Sequence, residues 1–167
     1  GNESFRQFTD YVSSLMVASI KKDLEEFGVV YNNWFSEREM INKGLVQKSI
    51  RQLQDNNHTY KKGGALWLKT INFGDDKDRV IIREDGRSTY FASDIAYHFD
   101  KRFRGFDVLL DVLGSDHHGY LDRLGAGLAA MNEPQESLEI SLVQFVSLFK
   151  ENKKVQMSTR SGDFITL

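Results

Sequence analysis

The chain has 167 residues, of which 40% are hydrophobic and 28% charged, and this favours one ordinary globular domain over a disordered or fibrous chain. Because 22 Lys and Arg residues face 24 Asp and Glu residues, the net charge of -2 excludes a protein that holds nucleic acid by charge alone. The absence of cysteine excludes disulfides, thiolate zinc sites and cysteine nucleophiles. No apolar run approaches the roughly 20 residues that span a bilayer, so we expect no membrane segment and a cytoplasmic protein.

The beginning of the chain is predicted to be a long amphipathic helix. Apolar residues recur every three or four positions over 3–27, and Gly28 follows where a helix commonly ends. The β-favouring residues of 29–35 then predict a short strand.

A second, interrupted helix is predicted next. Ser36 and Glu39 have the spacing of a capping box, so the helix should begin near Glu37. It should break at Gly44 and resume over 45–53.

The middle of the chain is predicted to form a small antiparallel β-meander. Residues 61–64 should turn the chain into a strand over 65–70, and a second strand is expected over 79–83. The Asp85-Gly86 pair is typical of a hairpin turn, which would lead into a third strand over 88–91.

A βαβ unit is predicted after the meander. Ser93 is expected to cap a helix that runs from Asp94 to about Arg102. A buried strand over 107–113, a helix over 116–131 and one or two strands over 138–149 should follow. This order is typical of a parallel sheet.

The first candidate site follows the predicted strand that ends at Gly114. Ligands bind beyond the carboxyl ends of strands in open parallel sheets, and Asp116, His117 and His118 could bond a ribose, a phosphate or an amino-acid head group. A helix cap by Ser115 or Asp116 with ordinary surface histidines is an equally good interpretation. A metal site is less favoured, because adjacent side chains diverge.

A second candidate pair is Tyr90 and Asp94, whose spacing can bring a phenol and a carboxylate to one side of a helix start. A buried carboxylate there would need a cation. Without other information, the simpler interpretation is that Asp94 complements the helix dipole. His58 and His98 are isolated in the sequence and are expected to be ordinary solvent or core-edge histidines.

The third candidate is the polar, basic segment 153–163. Its Lys and Arg side chains could stabilise a departing pyrophosphate, although a solvated hairpin tip is an equally good interpretation. No Walker sequence, dinucleotide-binding glycine motif or nucleophile elbow occurs in the chain.

Taken together, three of these segments resemble the arginyl-tRNA synthetases of the bacterial type. The matching segments are 90–98, 114–120 and 156–167, and further matches lie at 34–37, 64–68 and 73–79. The resemblance therefore covers nearly the whole chain in order. It implies a class I catalytic domain that joins arginine to ATP and moves the arginyl group to the terminal ribose of its tRNA, with activation dependent on bound tRNA.

The resemblance also implies roles for matching residues. Tyr90, Asp94 and His118 would bind the substrate arginine, and the Asp94 carboxylate would give the guanidinium a bidentate partner. The residues expected near ATP at the strand end are Gly114, Asp116 and His117.

The segment that begins at Gln156 takes the place of the signature loop usually written KMSKS. Its expected ATP-binding residues are Gln156, Met157 and Ser158. Gln156 and Thr159 stand where that signature has lysines, so the nearby cations become the candidates for catalytic charge. These are Lys153, Lys154 and Arg160.

The fold that the resemblance implies is α/β. We expect a helical connecting segment over 1–60, then the C-terminal half of a Rossmann-like catalytic domain of the nucleotidyl transferase type, with a small β-meander, over 61–167. No counterpart of the HIGH-type motif of the front half is found, so we expect an internal fragment that is inactive alone. Its uncovered apolar surface should favour self-association.

The expected partners are arginine, ATP, tRNA and the missing front half of the catalytic domain. ATP with Mg2+ would be a substrate, with no permanently bound cofactor and no metal site in the protein. The alternative is a non-catalytic paralogue that binds arginine or RNA without forming an adenylate.

Overall fold

A computed structural model of the chain describes residues 3–155, apart from the side chains of His118, Gln135 and Lys150. Within that range, residues 3–35 and 147–155 form one compact unit and Ser36–Val146 form another. The predicted domain boundary near residue 60 stays a prediction. None of the described helices has the length and apolar content needed to cross a membrane.

Helices and strands alternate along the chain. The helices are α1 (Glu3–Glu26), α2 (Glu37–Asn42), α3 (Leu45–Asp55), α4 (Tyr90–Phe103) and α5 (Leu121–Ala130). The strands are β1 (Thr59–Lys62), β2 (Ala65–Leu68), β3 (Arg79–Ile82), β4 (Leu109–Gly114), β5 (Leu138–Val143), β6 (Leu148–Lys150) and β7 (Lys153–Val155). Short 3-10 turns lie at Thr70–Phe73, Ser115–Tyr120 and Gln135–Ser137. The predicted α/β class is confirmed.

The long first helix is confirmed to within one residue. Gly28 ends it with a φ of 87°, a conformation that costs glycine little. The predicted strand over 29–35 is wrong, because this segment pairs with none of the strands found within residues 3–155. Its aromatic residues pack locally instead, with the Tyr31 and Trp34 rings edge to face at a centroid distance of 5.6 Å.

The Ser36 cap, the helix start and the helix break are all confirmed. The Ser36 hydroxyl accepts a hydrogen bond from the Glu39 amide at 3.2 Å, and α2 begins at Glu37. Gly44 has a φ of 70°, which interrupts the chain before α3 starts at Leu45. The apolar face of α3 is buried through Val46, Ile50 and Leu53.

The middle of the chain is an antiparallel meander in the order β1-β2-β3. It begins with a strand that was not predicted and lacks the predicted last strand. The segment 59–62 is a strand, and the turn is confined to Gly63-Gly64. The Asp85-Gly86 hairpin is present, yet Ser88 makes only an isolated bridge to Ile82. The predicted strand over 88–91 is therefore wrong.

Helix α4 begins a full turn before the predicted start. Thr89, not Ser93, is the N-cap, and its hydroxyl accepts from the Ala92 amide at 3.3 Å while donating to the Val80 carbonyl at 3.0 Å. This second bond to β3 makes Thr89 the better cap. The predicted cap at Ser93 is wrong because Ser93 lies inside the helix and is buried.

The predicted βαβ unit is confirmed. Strands β4 and β5 are parallel, with Leu109 opposite Leu138 and Gly114 opposite Val143, and α5 connects them. The 3-10 turn Ser115–Tyr120 replaces the first part of the predicted helix. Helix α5 packs closely on α4, since a Cβ at Gly127 would lie 2.8 Å from a side-chain carbon of Ile95.

Candidate functional site

The Asp94 carboxylate lies in the second turn of α4 and is half-buried. The Tyr120 hydroxyl, at the end of the 3-10 turn after β4, donates a hydrogen bond to Asp94 Oδ2. Within the described part of the chain, no Lys or Arg forms a salt bridge with this carboxylate. The arrangement leaves Asp94 oriented by a neutral donor and open to an added cation.

The environment of Tyr120 keeps its hydroxyl protonated. Burial raises the pKa of Tyr120 well above its usual range, and the hydrogen bond and negative charge of Asp94 raise it further. The Phe91 and Tyr120 rings pack edge to face at a centroid distance of 6.4 Å, and the Arg123 guanidinium carbon lies 5.1 Å from the centre of the Tyr120 ring. Tyr120 was not among the predicted site residues, although it lies in a segment that the sequence singled out.

Tyr90 is the first residue of α4, one helical turn before Asp94. The structure thus places the predicted pair on one helix, at the spacing that lets side chains share a face. Tyr90 is 77% exposed and lines a cavity of about 380 Å³ together with Ser93, Arg83 and Arg87. Its side chain is free to meet a ligand.

The strand-end candidates are solvent-accessible. A Cβ at Gly114 would lie 2.6 Å from Asp116 Oδ1, so the Asp116 side chain folds back over the glycine. The Asp116 and His117 side chains are exposed, and Asp116 Oδ2 lies 4.0 Å from His117 Nε2. The side chain of His118 is not among those that the structure describes. Among residues 3–155, no cluster of three or more metal-ligating side chains is found.

The candidates near the end of the chain are only partly described. Lys153 and Lys154 are exposed residues of β7, which pairs with β6 in a hairpin. Gln156, Met157, Ser158 and Arg160 lie outside the described residues. The roles of all these side chains stay predictions.

The structure contains a buried charge cluster that the sequence did not reveal, defined here as the His98 cluster: His98, Lys101 and Asp111. His98 Nε2 lies 2.5 Å from Asp111 Oδ2, and Lys101 Nζ lies 2.8 Å from Asp111 Oδ1. The other ring nitrogen, His98 Nδ1, lies 2.8 Å from the Asp94 carbonyl oxygen. The sequence predicted a solvent or core-edge histidine at position 98, and the structure adds its contacts with Asp111 and with the Asp94 carbonyl. The sequence signal that could have revealed this cluster is Asp111, an acidic residue within an otherwise apolar strand.

The electrostatics of the His98 cluster favour an ionised Asp111. Burial alone would raise the pKa of Asp111, but hydrogen bonds and charge attraction from His98 and Lys101 outweigh it and lower the pKa to about 2. Both ring nitrogens of His98 lie within hydrogen-bond distance of an oxygen, Nδ1 of the Asp94 carbonyl and Nε2 of the Asp111 carboxylate. The cluster joins α4 to β4 through charge-assisted bonds.

The chain is similar to known proteins along its whole length. The model of the family described as tRNA synthetases class I (R), catalytic domain, matches residues 1–167. The arginine--tRNA ligases of Hydrogenovibrio crunogenus and Dichelobacter nodosus are 50% and 48% identical over 167 residues, which is 100% of this chain and 28% of each relative. The chain thus spans less than a third of the length of these relatives.

Two solved structures are also similar. A Campylobacter jejuni protein assigned as an arginyl-tRNA synthetase has a TM-score of 0.87 and 36% identity, covering 94% of this chain and 34% of that one. Thermus thermophilus arginyl-tRNA synthetase has a TM-score of 0.56 at 19% identity, covering 63% of this chain and 24% of that one. The second likeness concerns the fold alone.

Proposed function

From the premise that the chain belongs to the family of class I tRNA synthetases for arginine, we propose that it is part of an ATP-dependent arginine–tRNA ligase. In the proposed reaction, the arginine carboxylate attacks the α-phosphorus of Mg-ATP in line, and pyrophosphate leaves. The arginyl group then moves from the adenylate to the terminal ribose of tRNA. No covalent enzyme intermediate is needed.

The observation that carries this proposal is the environment of Asp94. A guanidinium offers N–H donors in a planar fork, and a half-buried carboxylate without a salt bridge in the described region is its natural partner. Each carboxylate oxygen can accept two hydrogen bonds, so the bond from Tyr120 orients Asp94 without blocking the ligand. Tyr90, exposed one turn away, would pack against the substrate side chain.

The remaining substrate contacts are proposed from the family resemblance. Gly114, Asp116 and His117 would lie near the ribose of ATP, and His118 near the activated arginine. Lys153, Lys154 and Arg160 would offset the charge of the phosphates, with the loop residues Gln156, Met157 and Ser158 beside them. Mg2+ would enter with ATP as part of the substrate.

The test is pyrophosphate exchange by the full-length protein with ATP, total tRNA and each amino acid in turn. Arginine alone should support exchange, and only with tRNA present. Asp94→Asn should reduce it at least about 100-fold, since a substrate cation loses its charged partner. Asp100→Asn is the matched control, because Asp100 pairs with Arg104 on the same helix at 3.1 Å. Exchange with another amino acid would contradict the proposal.

The neutral residues at positions 156 and 159 favour a second candidate, a non-catalytic paralogue that binds arginine or RNA. It predicts that calorimetry detects arginine binding by the full-length protein while no amino acid supports exchange. Exchange with arginine would exclude it.

We also propose that the protein works in the cytoplasm and that the isolated segment is inactive and self-associates. Leu110 and Val112 of β4 and Val143 of β5 are exposed apolar residues on the two paired strands. Such a surface favours association. Light scattering after size exclusion should show oligomers, and a stable monomer would contradict this.

A further inference from the structure

The main chain and the side chain of Asp94 are both tied to the strand–turn segment that runs from β4 to Tyr120. The side chain accepts a hydrogen bond from Tyr120, which ends that segment. The carbonyl accepts from His98 Nδ1, and His98 Nε2 bonds Asp111 in β4 itself. The Asp94 residue is thus held at two points relative to the strand end near which ATP is proposed to bind.

The contacts of His98 can fix the position of Asp94 relative to β4. The side chain of His98 is 6% exposed and that of Asp111 is 11% exposed, so water competes little for their bond. Lys101 holds the second oxygen of Asp111, which restricts rotation of the carboxylate. An imidazole that bridges two fixed oxygens has no alternative rotamer that keeps both bonds.

We propose that His98 and Asp111 are positioning residues for arginine binding, which set the placement of the Asp94 carboxylate against the end of β4. This inference rests on the proposed function. Neither residue is expected to touch the substrate. Their effect runs through Asp94, so their removal should weaken the binding of arginine and leave that of ATP nearly unchanged.

Helix α4 supplies its own control. Arg102 Nε bonds Glu133 Oε2 at 2.8 Å, and the two side chains are 22% and 17% exposed. This ion pair also ties α4 to a distant segment, but it makes no bond to Asp94. A purely structural role of the His98 cluster would make His98→Ala and Arg102→Met behave alike.

The experiment measures steady-state pyrophosphate exchange by the full-length protein with saturating tRNA. His98→Ala should raise the KM for arginine about tenfold, because a displaced carboxylate binds the guanidinium poorly, and the KM for ATP should change less than about twofold. His98→Gln, whose amide can reach Asp111, should recover part of this loss. Arg102→Met should leave the KM for arginine unchanged even where it lowers thermal stability.

An unchanged KM for arginine in His98→Ala, or an equal rise in Arg102→Met, would overturn the inference. If His98→Ala does not fold, Asp111→Asn, which keeps the side-chain volume, should raise the KM for arginine at least about threefold, and an unchanged value would overturn it. If the wild-type protein shows no exchange with arginine, the proposed function fails. In that case, calorimetry measures the affinity of the wild type and of His98→Ala for arginine and tests the positioning role separately. Equal affinities, or no binding of arginine by the wild type, would overturn it.

Discussion

Two buried charge clusters in the unit Ser36–Val146 are built in different ways. Arg79 binds both oxygens of Asp75, at 2.7 and 2.6 Å, and also contacts Asp76, so this cluster closes within one loop. The His98 cluster instead joins α4 to β4, and Asp111 lies 13 positions from His98. The pair of Arg79 and Asp75 is about as buried as the His98 cluster, whereas Asp76 is exposed, and the two clusters differ in what they connect.

The difference has consequences for function. The Arg79 cluster shapes the turn before β3, where the Thr70 hydroxyl also bonds the Lys77 carbonyl at 2.7 Å. Its ion pairs lower the pKa of Asp75 well below its usual range, with the hydrogen bond from Arg79 as the main cause. The His98 cluster holds the residue proposed to recognise arginine. A change in the first should stay local, whereas a change in the second should reach the site.

The largest effect is expected from Asp111→Ala in the full-length protein. It leaves the Lys101 ammonium without its anion and His98 Nε2 without its partner, so the opening free energy of α4 and β4 should fall by about 3–5 kcal/mol. Hydrogen exchange of backbone amides in both elements measures this. Protection that stays unchanged would mean that the cluster does not hold the two elements together.

Acid should weaken the contact between α4 and β4. The pKa of Asp111 is about 2 in the folded protein against its ordinary value of 3.8, so its stabilisation is complete above pH 3.8 and is lost as the pH falls towards 2. This linkage is worth about 2 kcal/mol. Amide exchange in β4 at fixed ionic strength, compared between wild type and Asp111→Asn, checks it. The variant should show a flatter dependence over that range.

Breaking the local cluster should have a smaller effect. Asp75→Asn keeps an acceptor for Arg79 but removes its charge, and Arg79 retains Asp76, so the loss should be about 1 kcal/mol. Faster exchange should appear only around residues 70–79, with the KM for arginine unchanged. A raised KM for arginine would show that the Arg79 cluster, like the His98 cluster, affects the proposed arginine site.

The smallest effect is expected from the exposed pair of Lys43 and Glu39, whose side chains are each 68% exposed. Lys43→Gln should change stability by less than about 0.5 kcal/mol, because solvent screens such pairs. Thermal unfolding measures this. A larger loss would indicate that exposed ion pairs stabilise this protein as much as buried ones do.

Local signals predicted much of the fold. The period of apolar residues located α1, and the Ser36 capping box and Gly44 located α2 and α3, because caps and glycine breaks depend on residues a few positions apart. The βαβ order was also correct. The strand over 29–35 was wrong because a strand needs a partner, and β-favouring residues do not provide one.

The predicted start of α4 shows the same limit at a single residue. Ser93 and Thr89 are both acceptable caps by composition. The bond between Thr89 and Val80 in β3 decided between them, and that bond exists only after the sheet has formed.

The sequence by itself determined the family, the α/β class and the pairing of Tyr90 with Asp94 at helical spacing. Only the tertiary structure decided that Tyr120 orients the Asp94 carboxylate and that His98 connects the Asp94 main-chain carbonyl to Asp111. The contact of His98 with Asp111 joins residues 13 positions apart and that of Tyr120 with Asp94 joins residues 26 positions apart, and the strength of both comes from burial. Neither the separation in space nor the exclusion of water can be read from residue types alone, because both arise when the chain folds and brings α4 to Asp111 and Tyr120.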